Sequence, residues 1–123
     1  MKITNYKEAQ SKNNPHGVDA KKLHENNDAQ VMHMLLKPGE KLKPHKTPVE
    51  VFFYVLEGTG MVQVGDEKMK VVKDDLIDSS KNILHCLFNE SDNNFRVPYS
   101  FLTPILRTDF NLNKDNNDDV FWC

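Results

Sequence analysis

Between Glu50 and Glu57 the chain reads EVFFYVLE, a run of aromatic and β-branched residues that closes on Gly58-Thr59-Gly60. Such residues favour extended backbone over helix. Successive side chains of a strand point to opposite faces, and here both parities are apolar. Val51, Phe53 and Val55 fall on one side; Phe52, Tyr54 and Leu56 fall on the other. A strand with one wet face alternates apolar with polar instead. The expectation is a strand covered twice, by the core and by another strand layer or a second subunit. A homodimer supplies that cover.

The rest of the chain repeats the theme in weaker form. AQVMHMLL (29–36) reads as a strand ended by the turn-rich Lys37-Pro38-Gly39-Glu40, and KLKPHKT as a short extended piece. MVQV and KMKVV flank Gly65-Asp66, a tight hairpin with one wet face. DDLID, the loop SSKN, ILHCLFNES and NFRVPYSFLT follow. Pro98 in the last of these removes a ladder donor and implies an edge strand or a bulge. Helical spacing is scarce: Lys7 to Lys12 and Val18 to His24 each allow a turn or two of helix. Many short strands with Gly and Pro punctuation indicate an all-β sandwich or barrel. The organisation expected is an N-terminal extension over 1–28 packed on a β-barrel over 29–108. A polar tail over 109–123 follows, in which Val120-Phe121-Trp122 offers an anchor.

Bulk properties narrow the function classes. A chain of 123 residues with net charge -2, acids and bases interspersed, is one domain with no basic stripe for nucleic acid or anionic membrane. No apolar run reaches the roughly 20 residues of a spanning helix, and MKITNYKEAQSKNNPHG has no apolar signal-peptide centre. Two cysteines, Cys86 and Cys123, make no disulfide framework. A cytoplasmic protein acting on a small molecule is the expectation.

The histidines supply the chemistry. Gly39, His45 after five intervening residues, a glutamate, and YVLEG ending at Gly58 resemble the first signature of the cupin superfamily. KDDLIDSSKNILHCLFN, with His85 four residues before Asn89, resembles the second. The likeness runs from about Val31 to Phe101, and it implies a jelly-roll (double-stranded β-helix) barrel whose mouth holds a divalent transition metal such as Fe, Mn, Ni or Zn. By that resemblance His45 matches the first ligand and His85 the last. The second histidine falls at Thr47, and the glutamate at Val51, with Glu50 one place early. The implied metal set is His45, Glu50 and His85. A one-residue slip turns a side chain to the other face; a bulge around Phe52-Phe53 would restore Glu50. Ser80 and Asn82 stand where the family has proline and glycine.

Physical chemistry leaves more than one reading open. Imidazole and carboxylate suit first-row metals, and two imidazoles with one carboxylate leave coordination sites for substrate. A threonine hydroxyl is a poor ligand, and two imidazoles alone bind weakly. The resemblance therefore implies either a metal-binding domain acting on a small polar molecule, such as an organic acid or sugar derivative, or one that has lost its metal and binds a small ligand directly, with a structural dimerisation unit whose interior is filled as a third reading. His33, Thr47 and Tyr54 are the candidate pocket residues. A turn over Pro38 to Glu40 would set His33 opposite His45, its alternative being a buried histidine bonded to a carbonyl or hydroxyl. His16 and His24 read as solvated, Cys86 as a small buried apolar group, and Asn89 as a structural loop residue. Neither a base nor a nucleophile is assignable.

Overall fold

The computed structural model describes residues 1–102; the tail over 109–123 and its Val120-Phe121-Trp122 anchor lie outside the described residues. The described residues form eight strands and no helix. They are β1 (Asp19–Glu25), β2 (Ala29–Leu36), β3 (Val51–Tyr54), β4 (Gly60–Val64), β5 (Glu67–Val71), β6 (Leu76–Ser79), β7 (His85–Phe88) and β8 (Phe95–Leu102). Two antiparallel sheets result, ordered β1-β2-β8-β3-β6 and β5-β4-β7, in a jelly-roll arrangement. One core joins them: Met32, Met34, Leu36, Val51, Phe53, Phe95, Val97 and Phe101 of the larger sheet with Val62, Val71 and Leu87 of the smaller. No helix among the described residues is long and apolar enough to cross a membrane.

The segment expected to be helical, Val18 to His24, lies almost wholly in the strand Asp19–Glu25. Its sequence DAKKLHE carries almost no apolar alternation, but β2 supplies a continuous ladder for it to join, interrupted by one bulge between Lys22 and His24. The segment around Lys7 makes a turn, with Glu8 and Ala9 amides bonded to the Asn5 carbonyl. Pro98 lies in β8, which has neighbours on both sides. The β8–β3 ladder stops at Tyr99 and reappears as a lone Glu57–Arg96 bridge, so Pro98 falls in the interruption.

The doubly apolar strand is regular. Val51, Phe53 and Val55 are fully buried, whereas Phe52 is half-buried and Tyr54 and Leu56 are 37% and 38% exposed. Within one chain, only the inner face is completely covered. Gly58 has φ +85, and a side chain on Gly60 would run into the Phe95 ring. The Leu-Glu-Gly-Thr-Gly turn is thus built to let β8 pack closely. Gly65 opens the β4–β5 hairpin with φ +58, as the two-residue turn requires.

Candidate functional site

Residues 39–45 form no strand of their own but run beside β7. Gly39 and Asn89 bond through amide and carbonyl, Asn89 donates to Glu40, and Leu42 donates to Leu87. The next pair is His45 with His85, each amide bonded to the other's carbonyl at 3.2 and 3.0 Å. Between these pairs, Lys43 and Pro44 oppose Cys86 alone, which is a β-bulge. Proline suits it, having no amide to waste. The bulge carries Lys43's peptide out of the ladder. Its amide donates to His16 Nδ1 at 2.9 Å, and its carbonyl accepts from His45 Nδ1 at 3.2 Å.

Because His45 and His85 are a directly opposed pair, their side chains leave the same face. The ring centroids are 5.0 Å apart, edge to face, and His16 stands 5.2 Å from His45 on the outer side. His85 is 1% exposed and lies against Phe53 at 5.4 Å. Its Nδ1 is 3.1 Å from the Ser79 hydroxyl, and its buried Nε2 has no hydrogen-bond partner. Burial first, and then the neighbouring His45 and His16, lower its pKa to about 4. A cavity of about 220 Å³ borders His85, lined also by Pro44, Gln63, Gly65, Leu84 and Cys86. Gln63 and Cys86 alternate with the inward Val62 and His85, so this cavity opens on the outer side of β4 and β7 rather than between the rings.

The convergence of His45 and His85 agrees with what the cupin resemblance implies; the third member does not join them. β3 and β6 pair one-for-one from Val51–Ser79 to Tyr54–Leu76, so there is no bulge at Phe52-Phe53. Glu50 therefore keeps its outward parity and is exposed. The inward residues at 47 and 51 are Thr47 and Val51, both buried. The Thr47 hydroxyl is engaged with the Val49 carbonyl at 2.9 Å. Among the described residues no three His, Cys, Asp or Glu side chains group so as to hold a metal ion.

Two pocket candidates also face away. Tyr54 is on the outer face, its hydroxyl donating to Asp74 Oδ1 at 2.8 Å, a bond that raises its pKa. His33 shares β2 with the inward Met32 and Met34, so alternation turns it outward. There Tyr6 stacks on it at 3.9 Å, and Arg96 Nε donates to its Nε2 at 3.1 Å. Desolvation, then the Arg96 charge, lower its pKa to about 4.

Ser79 was not singled out by the sequence, and His16, expected to be solvated, is instead half-buried and bonded to the Lys43 amide. Ser79 had a signal, since counting by two from the half-buried Ile77 puts it inward. His16 had none: only the fold brings the N-terminal arm to the bulge. Asn89 holds the loop, donating to the Leu36 and Asn93 carbonyls and accepting from Ser91. Asn82 has φ +63, which explains how it replaces glycine. Cys86 is buried, and burial raises its thiol pKa. His24 is exposed.

Comparison with known proteins places these features. The cupin domain family model matches residues 32–102. Among solved structures, a predicted oxalate decarboxylase from Thermotoga maritima has TM-score 0.75 at 18% identity, with 84% of this chain and 100% of that one covered. KdgF from Halomonas sp. has TM-score 0.73 at 14% identity, covering 85% and 96%. An RmlC-like cupin from Shewanella frigidimarina has TM-score 0.73 at 16% identity, covering 88% and 94%. No protein of curated function matches. At these identities the structural likeness establishes fold alone, but the family match spans more than half the sequence. The chain belongs to the cupin domain family.

Proposed function

We propose that this cupin binds a small polar molecule directly, through His45, His85 and Ser79 at the barrel mouth, rather than through a resident metal. One observation carries the reading: apolar Val51 and a backbone-bonded Thr47 occupy the inward positions at which the family's other ligands fall. Two imidazoles without a carboxylate do not fit a tight divalent-metal site. They do fit hydrogen bonding to a ligand's oxygens, in a setting where burial favours the neutral form of His85. The role supported is binding or sensing, and no reacting group is assigned.

The test is elemental analysis of protein purified with Fe, Mn, Ni and Zn supplied, beside a melting-temperature screen of metals and small organic acids and sugars. The expected result is substoichiometric metal, no metal-dependent rise in melting temperature, and a rise with a small molecule that His85→Ala abolishes. Stoichiometric metal in wild type that is lost in His45→Ala overturns the proposal.

The proposal includes a homodimer. A second copy of the chain would cover the outer face of β3 and β6, where Tyr54, Leu56 and Leu76 leave apolar surface at the end of the five-stranded sheet.

A further inference from the structure

The outer face of the smaller sheet follows from alternation. Val62, Val71 and Leu87 turn into the core, so Met61, Gln63, Cys86 and Phe88 point away from it. The ladders set Cys86 beside Gln63 and Gln63 beside Lys68; they also set Phe88 beside Met61 and Met61 beside Lys70. Lys41 bridges to Phe88 from the other side. Lysines therefore stand at both margins of a face whose middle is apolar or neutral.

The cavity of about 220 Å³ lies in the Cys86–Gln63 row. Cys86 is 3% exposed, and with Pro44 of the bulge and Leu84 it gives an apolar lining. Gly65 adds only backbone, and its φ of +58 disfavours any side chain that would fill the space. Gln63 supplies an amide, which donates to the Gly65 carbonyl at 3.3 Å. An apolar cavity of about 150 Å³ takes a benzene ring, so this one has room for a ring with a short substituent. Sulfur also makes favourable contacts with aromatic rings.

The charge around the cavity has one prevailing sign. Burial raises the Cys86 thiol pKa, and the Lys41 and Lys68 ammonium groups act against that rise, so both are close enough to be felt there. Lys68 Nζ is held over the face, 5.0 Å from the Phe88 ring centre. Lys43 adjoins Pro44 in the sequence, and Asp66 is the one acid that adjoins a lining residue.

We propose that this cavity is a second binding site, on the opposite face of β7 from the imidazole pair, for a small aromatic carboxylate. The ring lies against Cys86, Leu84 and Pro44, and the carboxylate is drawn to Lys41 and Lys68 at the rim. The site is separate from the mouth, because the two use alternate residues of one strand. No bond is made or broken in it.

The test titrates nitrogen-15-labelled protein with benzoate, benzyl alcohol and acetate, which carry ring and charge, the ring alone and the charge alone. Benzoate should shift the Gly65, Leu84 and Cys86 amides and bind about fivefold more tightly than benzyl alcohol, the scale of one exposed charge pair. Acetate should leave those amides unmoved. Lys41→Gln with Lys68→Gln should lower benzoate to the affinity of benzyl alcohol, and Cys86→Leu, which fills the cavity, should abolish binding of both. Benzoate that leaves the three amides unmoved, or that binds Cys86→Leu as tightly as wild type, overturns the proposal. Equal affinity for benzoate and benzyl alcohol in wild type overturns the carboxylate assignment. If Cys86→Leu does not fold, Leu84→Ala decides, since Leu84 is 47% exposed: weaker benzoate binding supports the site and unchanged binding overturns it. Benzoate shifts confined to the His45 and His85 rings place the acid at the mouth, and the second site falls while direct binding there stands.

Discussion

Two histidines, His33 and His85, are each 1% exposed and each lowered to a pKa of about 4, on opposite faces of the β-structure. Their surroundings differ in kind. His33 is sealed beneath Tyr6, its Nε2 taken by Arg96, which in turn holds Glu57 at 3.2 Å. His85 has a hydroxyl on one nitrogen, no hydrogen-bond partner on the other, and a second imidazole across the strand pair. A depressed pKa therefore does not separate structural from functional histidines here, since desolvation is the leading cause in both. What separates them is the company each ring keeps, a guanidinium and a tyrosine ring at His33 against a hydroxyl and a second imidazole at His85, while each leaves one buried nitrogen without a hydrogen bond.

The largest expected effect tests what the pair shares. Between pH 6.5 and about 4 an unfolded histidine holds a proton that the buried ring does not. Stability is therefore full above pH 6.5 and lost as pH falls through 4. About 3 kcal/mol per ring is the upper scale, from 1.36 kcal/mol per pKa unit. Urea unfolding at pH 7 and pH 4.5 measures it, and a flat profile would show that the rings are not held neutral. Next, His33→Ala should lower unfolding free energy by about 2–3 kcal/mol through a cavity and an orphaned Arg96, leaving small-molecule affinity unchanged. Loss of affinity would break the comparison by making His33 part of the site.

A third experiment sharpens the inner region. Thr47→His with Val51→Glu should convert the mouth into a metal site, since both positions face inward. At a metal concentration of 100 Kd the stabilisation is about 2.7 kcal/mol, read as a higher melting temperature in the double variant only. An equal rise in wild type contradicts the direct-binding reading. Tyr6→Ala should cost about 1 kcal/mol for the lost stacking on His33 and the lost cation–π contacts with Lys21 and Arg96. Smallest in stability is Leu76→Asp, within about 0.5 kcal/mol; by sedimentation it should convert a dimer to monomer, and an unchanged mass would remove β6 from any interface.

Most of the fold was legible because it is written in period-two alternation and turn chemistry: β2, the β4–β5 hairpin and the grouping of Val51, Phe53 and Val55 on one face follow from local pattern, although which face turns inward does not. The strand β1 was not, because DAKKLHE is held by a ladder rather than by its own apolar face. In the site, His45 and His85 were legible from the resemblance to the two cupin signatures. Glu50 misled because restoring it needed a bulge, and the bulge that exists lies instead at Lys43-Pro44, where nothing but pairing register reveals it. His16 required the path of the whole arm.

That extra residue between Leu42 and His45 also limits how this segment can vary. Side chains there can be exchanged so long as the count is kept. Deleting one would put the segment back in step with β7, return Lys43's peptide to the ladder and release both imidazoles it orients. Length, more than identity, is what the mouth of this barrel cannot give up.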